Sequence, residues 1–231
     1  MRDENIVISH ESEAGISIFM SKVYAWMTGA LVLSALVAWQ AATSTAFIEY
    51  MTTHAPLFYG LMIGELVLVI ALAGFVKRMP LGLAITAFVL YSAVTGLTLS
   101  TIFLVYTASS IAKAFFITAG MFGTMSFYGY VTRKDLTNFG SFLFMSLIGL
   151  IIASLVNLFL HSPMIDWITT YAGIIIFTGL AAYDTQKLKY FGLMAMEEDM
   201  FAKMAILGAL TLYLDFINLF LSLLRAFGDR R

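Results

Sequence analysis

Three carboxylic acids stand inside long apolar runs of this 231-residue chain: Glu65, Asp184 and Asp215. A carboxylate is costly in hydrocarbon, so an acid at such a position usually faces a partner, a water-filled cavity or an ion path. Two acids that share a proton would form a titratable pair, and carboxylate oxygens are ligands that calcium prefers. The alternative is a protonated acid that only hydrogen-bonds between helices.

The elements that position these acids follow from composition. The chain is 61% hydrophobic and only 12% charged, with a mean hydropathy of +0.91, whereas a soluble domain has about 25% charged residues. A helix needs about 20 apolar residues to cross a bilayer. Seven such runs occupy residues 23–42, 57–76, 81–106, 111–130, 142–160, 165–182 and 204–224. The sequence therefore predicts an all-α membrane protein with seven transmembrane helices.

This prediction leaves one integral domain over residues 21–227, an N-terminal tail over 1–20 and a C-terminal tail over 228–231. Lys and Arg accumulate in cytoplasmic segments of membrane proteins. Nine of them fall on one side of the bundle: Arg2, Lys22, Lys77, Arg78, Arg133, Lys134, Lys187, Lys189 and Lys203. We therefore expect a cytoplasmic N-terminus.

The C-terminus is expected on the opposite face, because the number of spans is odd. Arg225, Arg230 and Arg231 would then lie outside, against the charge rule, and the alternative is a re-entrant last segment.

The charge, the lack of cysteine and the missing motifs exclude several function classes. The net charge is -1 and the basic residues are dispersed, so the chain is not expected to bind nucleic acid. It has no cysteine, no phosphate-binding glycine loop, no serine nucleophile elbow and no paired histidines at metal spacing. We therefore predict that the protein is not an enzyme and has no resident cofactor.

The depth of each acid can be estimated from the nearest cytoplasmic lysine. Glu65 precedes Lys77 by twelve residues and Asp215 follows Lys203 by twelve, which places both about 18 Å into the membrane at about 1.5 Å per residue. Asp184 stands close to the basic residues after the sixth span. This count predicts a cavity shared by Glu65 and Asp215, with Asp184 apart from them.

Small residues recur at helix-packing spacing in two spans. Ser92, Gly96 and Ser100 lie four residues apart in the third span, and Gly60 and Gly64 do so in the second. Such spacing lets helix backbones approach closely in lipid, so we expect both stripes to face other helices.

Two segments carry a family resemblance. Residues 182–189, with the sequence AYDTQKLK, and residues 212–220, LYLDFINLF, resemble the Bax inhibitor-1 family, also called the transmembrane Bax inhibitor motif family. The chain is most similar to bacterial inner-membrane members, as in residues 95–100 and 133–136. The resemblance implies a central seventh helix wrapped by two three-helix layers, a location in the bacterial inner (plasma) membrane, and a pH-sensitive calcium leak.

The resemblance also implies roles for single residues. Asp184 and Asp215 would form a pH-sensing dyad, which conflicts with the depth count. Glu65 would lie toward the pore, and Asn218 belongs to the same final motif. Glu65, Asp215 and Asn218, with backbone carbonyls and water, could supply a weak transit site for calcium, which would be the transported ion.

The chain departs from the family at the second helix. Bacterial relatives can place an arginine at its cytoplasmic end to latch the dyad, but here Val76 is followed by Lys77 and Arg78. Lys77 and Arg78 are therefore the candidate latch residues.

Two other functions compete with the channel. A non-catalytic regulator would bind other membrane proteins or a membrane protease, although the short tails offer little docking surface. An intramembrane aspartyl protease would also use a Tyr-Asp pair and a second Asp, but residues 212–215 read LYLD where such proteases carry a Gly-x-Gly-Asp element. The bilayer and calcium ions are the partners that the channel requires.

Overall fold

A computed structural model describes residues 2–194 and 197–231, with the side chains of 2–12, 52, 55 and 57–59 outside the description. Met1 of the predicted N-terminal tail therefore lies outside the described residues. The described chain forms nine α-helices: α1 (Arg2–Thr43), α2 (Thr45–Thr53), α3 (Ala55–Phe75), α4 (Leu81–Leu99), α5 (Ile102–Val105), α6 (Ala108–Val131), α7 (Thr137–Leu160), α8 (Pro163–Phe191) and α9 (Glu198–Phe227).

Seven segments within the described ranges are long and apolar enough to cross a membrane. They are Glu13–Thr43, Gly60–Arg78, Leu81–Val105, Ala108–Val131, Thr137–Leu160, Pro163–Phe191 and Glu198–Phe227. The predicted all-α fold with seven spans is confirmed. The last span is 67% buried against 11% for the fifth, but its position at the centre of the bundle stays a prediction.

The last two spans are longer than the sequence predicts. The sixth continues past residue 182 to Phe191, and the seventh begins at Glu198 rather than at residue 204. Lys203 is buried and pairs with Asp199 at 2.5 Å one turn earlier in the same helix. Lys203 therefore lies inside α9 and not in the loop before it, so the depth count from Lys203 does not start at a helix end.

The helices and the turns between them group into two compact units. The first unit comprises residues 1–105, 190–213 and 231, and the second comprises 106–189 and 214–230. Each unit thus holds most of three of the first six spans, and the arrangement of these spans as two layers around the seventh stays a prediction. The residues of α9 divide between them after Tyr213.

In the first unit, α4 packs against α1 and α3. Gly96 lies so close to α1 that an added Cβ would meet the Ser34 carbonyl oxygen at 2.7 Å, which confirms the predicted contact of that stripe. A Cβ at Gly60 or Gly64 would meet no atom within 4 Å. The expected packing role of that second stripe is therefore wrong, because neither glycine is in close contact.

In the second unit, glycines bring α8 against its neighbours. A Cβ on Gly129 of α6 would overlap the carbonyl group of Ala182, and one on Gly140 of α7 would overlap the ring of Tyr183. The segment of α8 that carries Asp184 consequently packs closely against both helices.

The C-terminal residues of the second unit pair with the start of α6. Arg230 forms an isolated antiparallel bridge with Tyr106, and the Asp229 carbonyl accepts from the Thr107 N–H at 3.1 Å. The Ser110 hydroxyl also accepts from the Asp229 N–H at 3.0 Å. Most of the predicted tail over 228–231 is thus bonded back onto the helical unit.

Candidate functional site

Asp184 and Asp215, hereafter the aspartate pair, lie side by side in the second unit. Asp184 on α8 is 9% exposed and Asp215 on α9 is 5% exposed, and their carboxyl groups interact directly. The depth count, which kept Asp184 apart from Asp215, is therefore wrong. The sixth span runs past Lys187 to Phe191, so the basic residues after Asp184 lie inside a helix and do not mark its end.

One oxygen of the aspartate pair has no protein partner. Within the described residues, the Asp215 Oδ2 atom is buried and lacks a hydrogen bond. A buried carboxyl oxygen without a partner is unfavourable, and two adjacent acids in a low-dielectric site cannot easily both carry charge. The arrangement favours a proton shared within the pair, which then titrates as one unit.

Lys187 is the cation whose charge acts on Asp184. The two residues are three positions apart and therefore lie on one face of α8. The Lys187 side chain is exposed, and its Nζ atom lies 5.9 Å from the centroid of the Tyr183 ring. The pair thus has a basic neighbour on its own helix, which the sequence analysis treated only as a marker of the membrane surface.

The turn before α7 is tied to α8 by the Gln186 side chain. The Gln186 Oε1 atom accepts from the Leu136 N–H at 2.9 Å, and its Nε2 atom donates to the Lys134 carbonyl at 2.8 Å. In the same turn, the hydroxyl and backbone N–H of Thr137 hold the pKa of the exposed Asp135 below its usual value. These bonds anchor α8 at Gln186, two residues beyond Asp184.

Asn218 faces its own helix. The Asn218 Nδ2 atom donates to the Leu214 carbonyl at 2.8 Å, and the Asn218 backbone carbonyl accepts from the Ser222 hydroxyl at 2.7 Å. The side chain is half-buried, one turn after Asp215 on α9. Its role in an ion pathway stays a prediction.

Glu65 lies in the first unit among hydroxyl groups. Its Oε1 atom accepts from the Thr98 hydroxyl at 2.7 Å, and the Thr95 hydroxyl also interacts with the carboxyl group. Tyr91 and Tyr213 both lie close enough to Glu65 to interact electrostatically with its carboxyl group. We call Thr95, Thr98, Tyr91 and Tyr213 the hydroxyl cluster.

The Tyr213 hydroxyl connects this cluster to α1. Its oxygen lies 2.7 Å from the Ser34 Oγ atom, and the Ser34 hydroxyl has the Ser92 carbonyl at 2.6 Å as an acceptor. Because the single Ser34 proton goes to a carbonyl, Tyr213 donates to Ser34. Tyr213 is fully buried, so this chain of bonds joins α9, α1 and α4 inside the first unit.

The other predicted residues are placed as follows. Lys77 and Arg78 form a 3-10 turn with Val76 and are exposed, and their role as a latch stays a prediction. Glu65 and Asp215 belong to different units, and the transit site that they would share stays a prediction as well. Among the described residues, no group of three or more histidines and acids could hold a metal ion.

Sequence reasoning missed Lys187 and the four residues of the hydroxyl cluster. Lys187 could have been found from its position three residues after Asp184, because i and i+3 share a helix face. Thr98 had no such signal, since its partner Glu65 is 33 residues away on another helix.

The seven spans, with acids buried between them, define a polytopic α-helical membrane protein. Residues 16–231 match the family described as inhibitor of apoptosis-promoting Bax1. The chain is 53% identical to the inner membrane protein YbhL of Escherichia coli strain K12, over 100% of this chain and 98% of that protein. The chain therefore belongs to the Bax inhibitor-1 family.

More distant relatives extend the comparison. An uncharacterised protein of Rickettsia prowazekii is 46% identical over 95% of this chain and 92% of its own length. An uncharacterised membrane protein of Streptococcus pyogenes serotype M6 is 36% identical over 96% of this chain and 97% of its own length. Together with the seven spans, the similarity to YbhL supports the assignment of an integral inner-membrane protein.

Proposed function

We propose that this protein is a pH-sensitive leak pathway for calcium across the inner membrane, gated by the aspartate pair. The observation that carries the proposal is the direct contact of two buried carboxyl groups. Such a pair changes charge as a unit when the pH changes. In this proposal the bilayer is the partner, calcium is the transported ion, and no catalytic step, resident cofactor or nucleic acid takes part.

The proposed gate works through the charge of the pair. Acid adds a proton, which weakens the attraction between Asp184 and Lys187. The ends of α8 and α9 can then adopt a second packing, because a switch needs two arrangements whose balance the proton shifts. Acid favours the open form, as the family resemblance implies.

The Glu65→Gln variant should lower calcium flux about tenfold, because it removes a charge that attracts cations into the pathway. Purified protein in vesicles that contain a calcium-sensitive dye would measure the flux. Glu13→Gln is the matched control, since Glu13 is an exposed glutamate of α1. Wild-type vesicles that take up calcium no faster than empty ones would contradict the channel, and unchanged flux in Glu65→Gln would remove Glu65 from the pathway.

We also propose a cytoplasmic N-terminus and a C-terminus on the opposite face, from the distribution of Lys and Arg. Reporter fusions before Met1 and after Arg231 should show opposite sidedness, with an alkaline phosphatase active only outside and a fluorescent protein bright only inside. Two cytoplasmic ends would show instead that the last segment is re-entrant.

A further inference from the structure

The Glu65 carboxyl group is held by an oxygen-rich set of side chains in the first unit. The Thr98 hydroxyl on α4 donates to the Glu65 Oε1 atom on α3 at 2.7 Å. Within the part of the chain that the structure describes, the other acceptor near this hydroxyl is the Thr95 carbonyl of its own helix, at 2.9 Å. A hydrogen bond to a charged acceptor is the shorter and stronger of two such alternatives, so Glu65 is the preferred partner.

The partners of Glu65 orient it without cancelling its charge. Within the described residues, the Thr98 hydroxyl hydrogen-bonds the carboxyl group, and the Thr95 hydroxyl lies close by and donates to the Tyr91 carbonyl. The titratable groups that face it are Tyr91 of α4 and Tyr213 of α9, and neither carries positive charge. A lysine or arginine in the place of Thr98 would neutralise the carboxylate, whereas a hydroxyl leaves its negative charge available to a cation.

The geometry also leaves oxygen atoms available. Glu65 is half-buried rather than enclosed, and Thr98 is half-buried next to it. A hydroxyl that donates its proton to a carboxylate keeps its lone pairs, and calcium takes oxygen ligands of several kinds, including carboxylates and neutral oxygens. Thr98 can therefore orient the carboxylate and present a second oxygen beside it.

We propose that Thr98 is a positioning residue of the cation pathway, whose hydroxyl holds the Glu65 carboxylate in the orientation that a passing divalent cation meets. This inference rests on the proposed calcium leak and goes beyond it, because it assigns the affinity of the Glu65 site to a neutral residue on another helix. It requires that loss of the Thr98 hydroxyl change calcium flux only through the Glu65 carboxylate.

The test is the calcium dependence of flux in vesicles for Thr98→Val, which keeps the shape of the side chain and removes the hydroxyl. The calcium concentration at half-maximal flux should rise about tenfold, the loss expected for a hydrogen bond to a charged group. Thr98→Ser should restore the wild-type value, because it keeps the hydroxyl. Thr98→Ala is a second deletion, in case the valine variant does not fold.

Thr86→Val is the matched control on the same helix, because the exposed Thr86 hydroxyl donates to the Gly82 carbonyl one turn earlier in its own helix. It should leave the half-maximal concentration unchanged. In a Glu65→Gln background, Thr98→Val should have no further effect, since its partner carboxylate is already gone.

Two results would overturn this inference alone. In the first, Thr98→Val and Thr98→Ala have the same calcium concentration at half-maximal flux as Thr86→Val. In the second, Thr98→Val raises that concentration as much in the Glu65→Gln background as in wild type. In both cases wild type would still carry calcium and the leak would stand. Wild-type protein that carries no calcium would overturn the leak and this inference together.

Discussion

Replacing either member of the aspartate pair with asparagine is expected to flatten the dependence of calcium flux on pH. The two carboxyl groups are buried and in direct contact, so removing one leaves an acid without the neighbour that couples its titration. A single titrating unit can change the open population by at most about tenfold per pH unit. Each single variant should lose most of this response.

The measurement is a pH titration of calcium flux in vesicles for wild type, Asp184→Asn, Asp215→Asn and the double variant. The double variant should add little to either single one, because two residues that act as a unit are not additive. Asp135→Asn is the control, since Asp135 is an exposed acid in the turn before α7. A full pH response in the double variant would mean that the sensor lies elsewhere.

The attraction between Lys187 and Asp184 should also make the pH response depend on salt. The Lys187 charge acts on Asp184 from the same helix face, so the deprotonated pair has a cation to attract whether or not Lys77 or Arg78 forms a latch. The proposed gate therefore does not depend on the arginine that some bacterial relatives place at the end of the second helix. An Asp–Lys attraction at an exposed lysine is weakened by salt, which makes the pH response sensitive to ionic strength as well.

The spans could be predicted from the sequence, whereas the contact of the aspartate pair could not. Hydropathy depends on local composition, and about 20 apolar residues suffice to identify a crossing. The position of Asp184 relative to Asp215 depends on where α8 ends and α9 begins, and the sequence predicts loops at Lys187 and Lys203, whereas both lie inside helices. Lys203 is buried, because an ion pair with Asp199 partly compensates its charge.

The hydroxyl cluster shows a different limit of prediction. Threonine, serine and tyrosine are common in membrane helices, and their hydroxyls can bond to their own helix backbone, as Thr86 does with Gly82. Sequence therefore does not distinguish Thr98, which reaches Glu65 on another helix, from Thr86. Only the packing of α3 against α4 selects the partner.

A second large effect is expected at Gly129, where α6 meets α8. A Cβ at this position would overlap the carbonyl group of Ala182, and a backbone atom cannot move aside as a flexible side chain can. Overpacking typically costs about 1–3 kcal/mol, and we expect Gly129→Ala to lie at the upper end, at about 3 kcal/mol. Thermal unfolding of purified protein in detergent would measure the loss.

Gly123→Ala is the matched control, because Gly123 lies on the same helix and a Cβ there would meet no atom within 4 Å. Alanine forms helix better than glycine by about 1 kcal/mol, so this variant should be at least as stable as wild type. Equal stability of the two alanine variants would show that α6 and α8 are not in close contact at Ala182. Ala182 precedes Asp184 by two residues on α8. If the α8 backbone shifts to accommodate Gly129→Ala, the aspartate pair should shift as well. The protein that remains folded should then show an altered pH dependence of calcium flux in addition to lower stability.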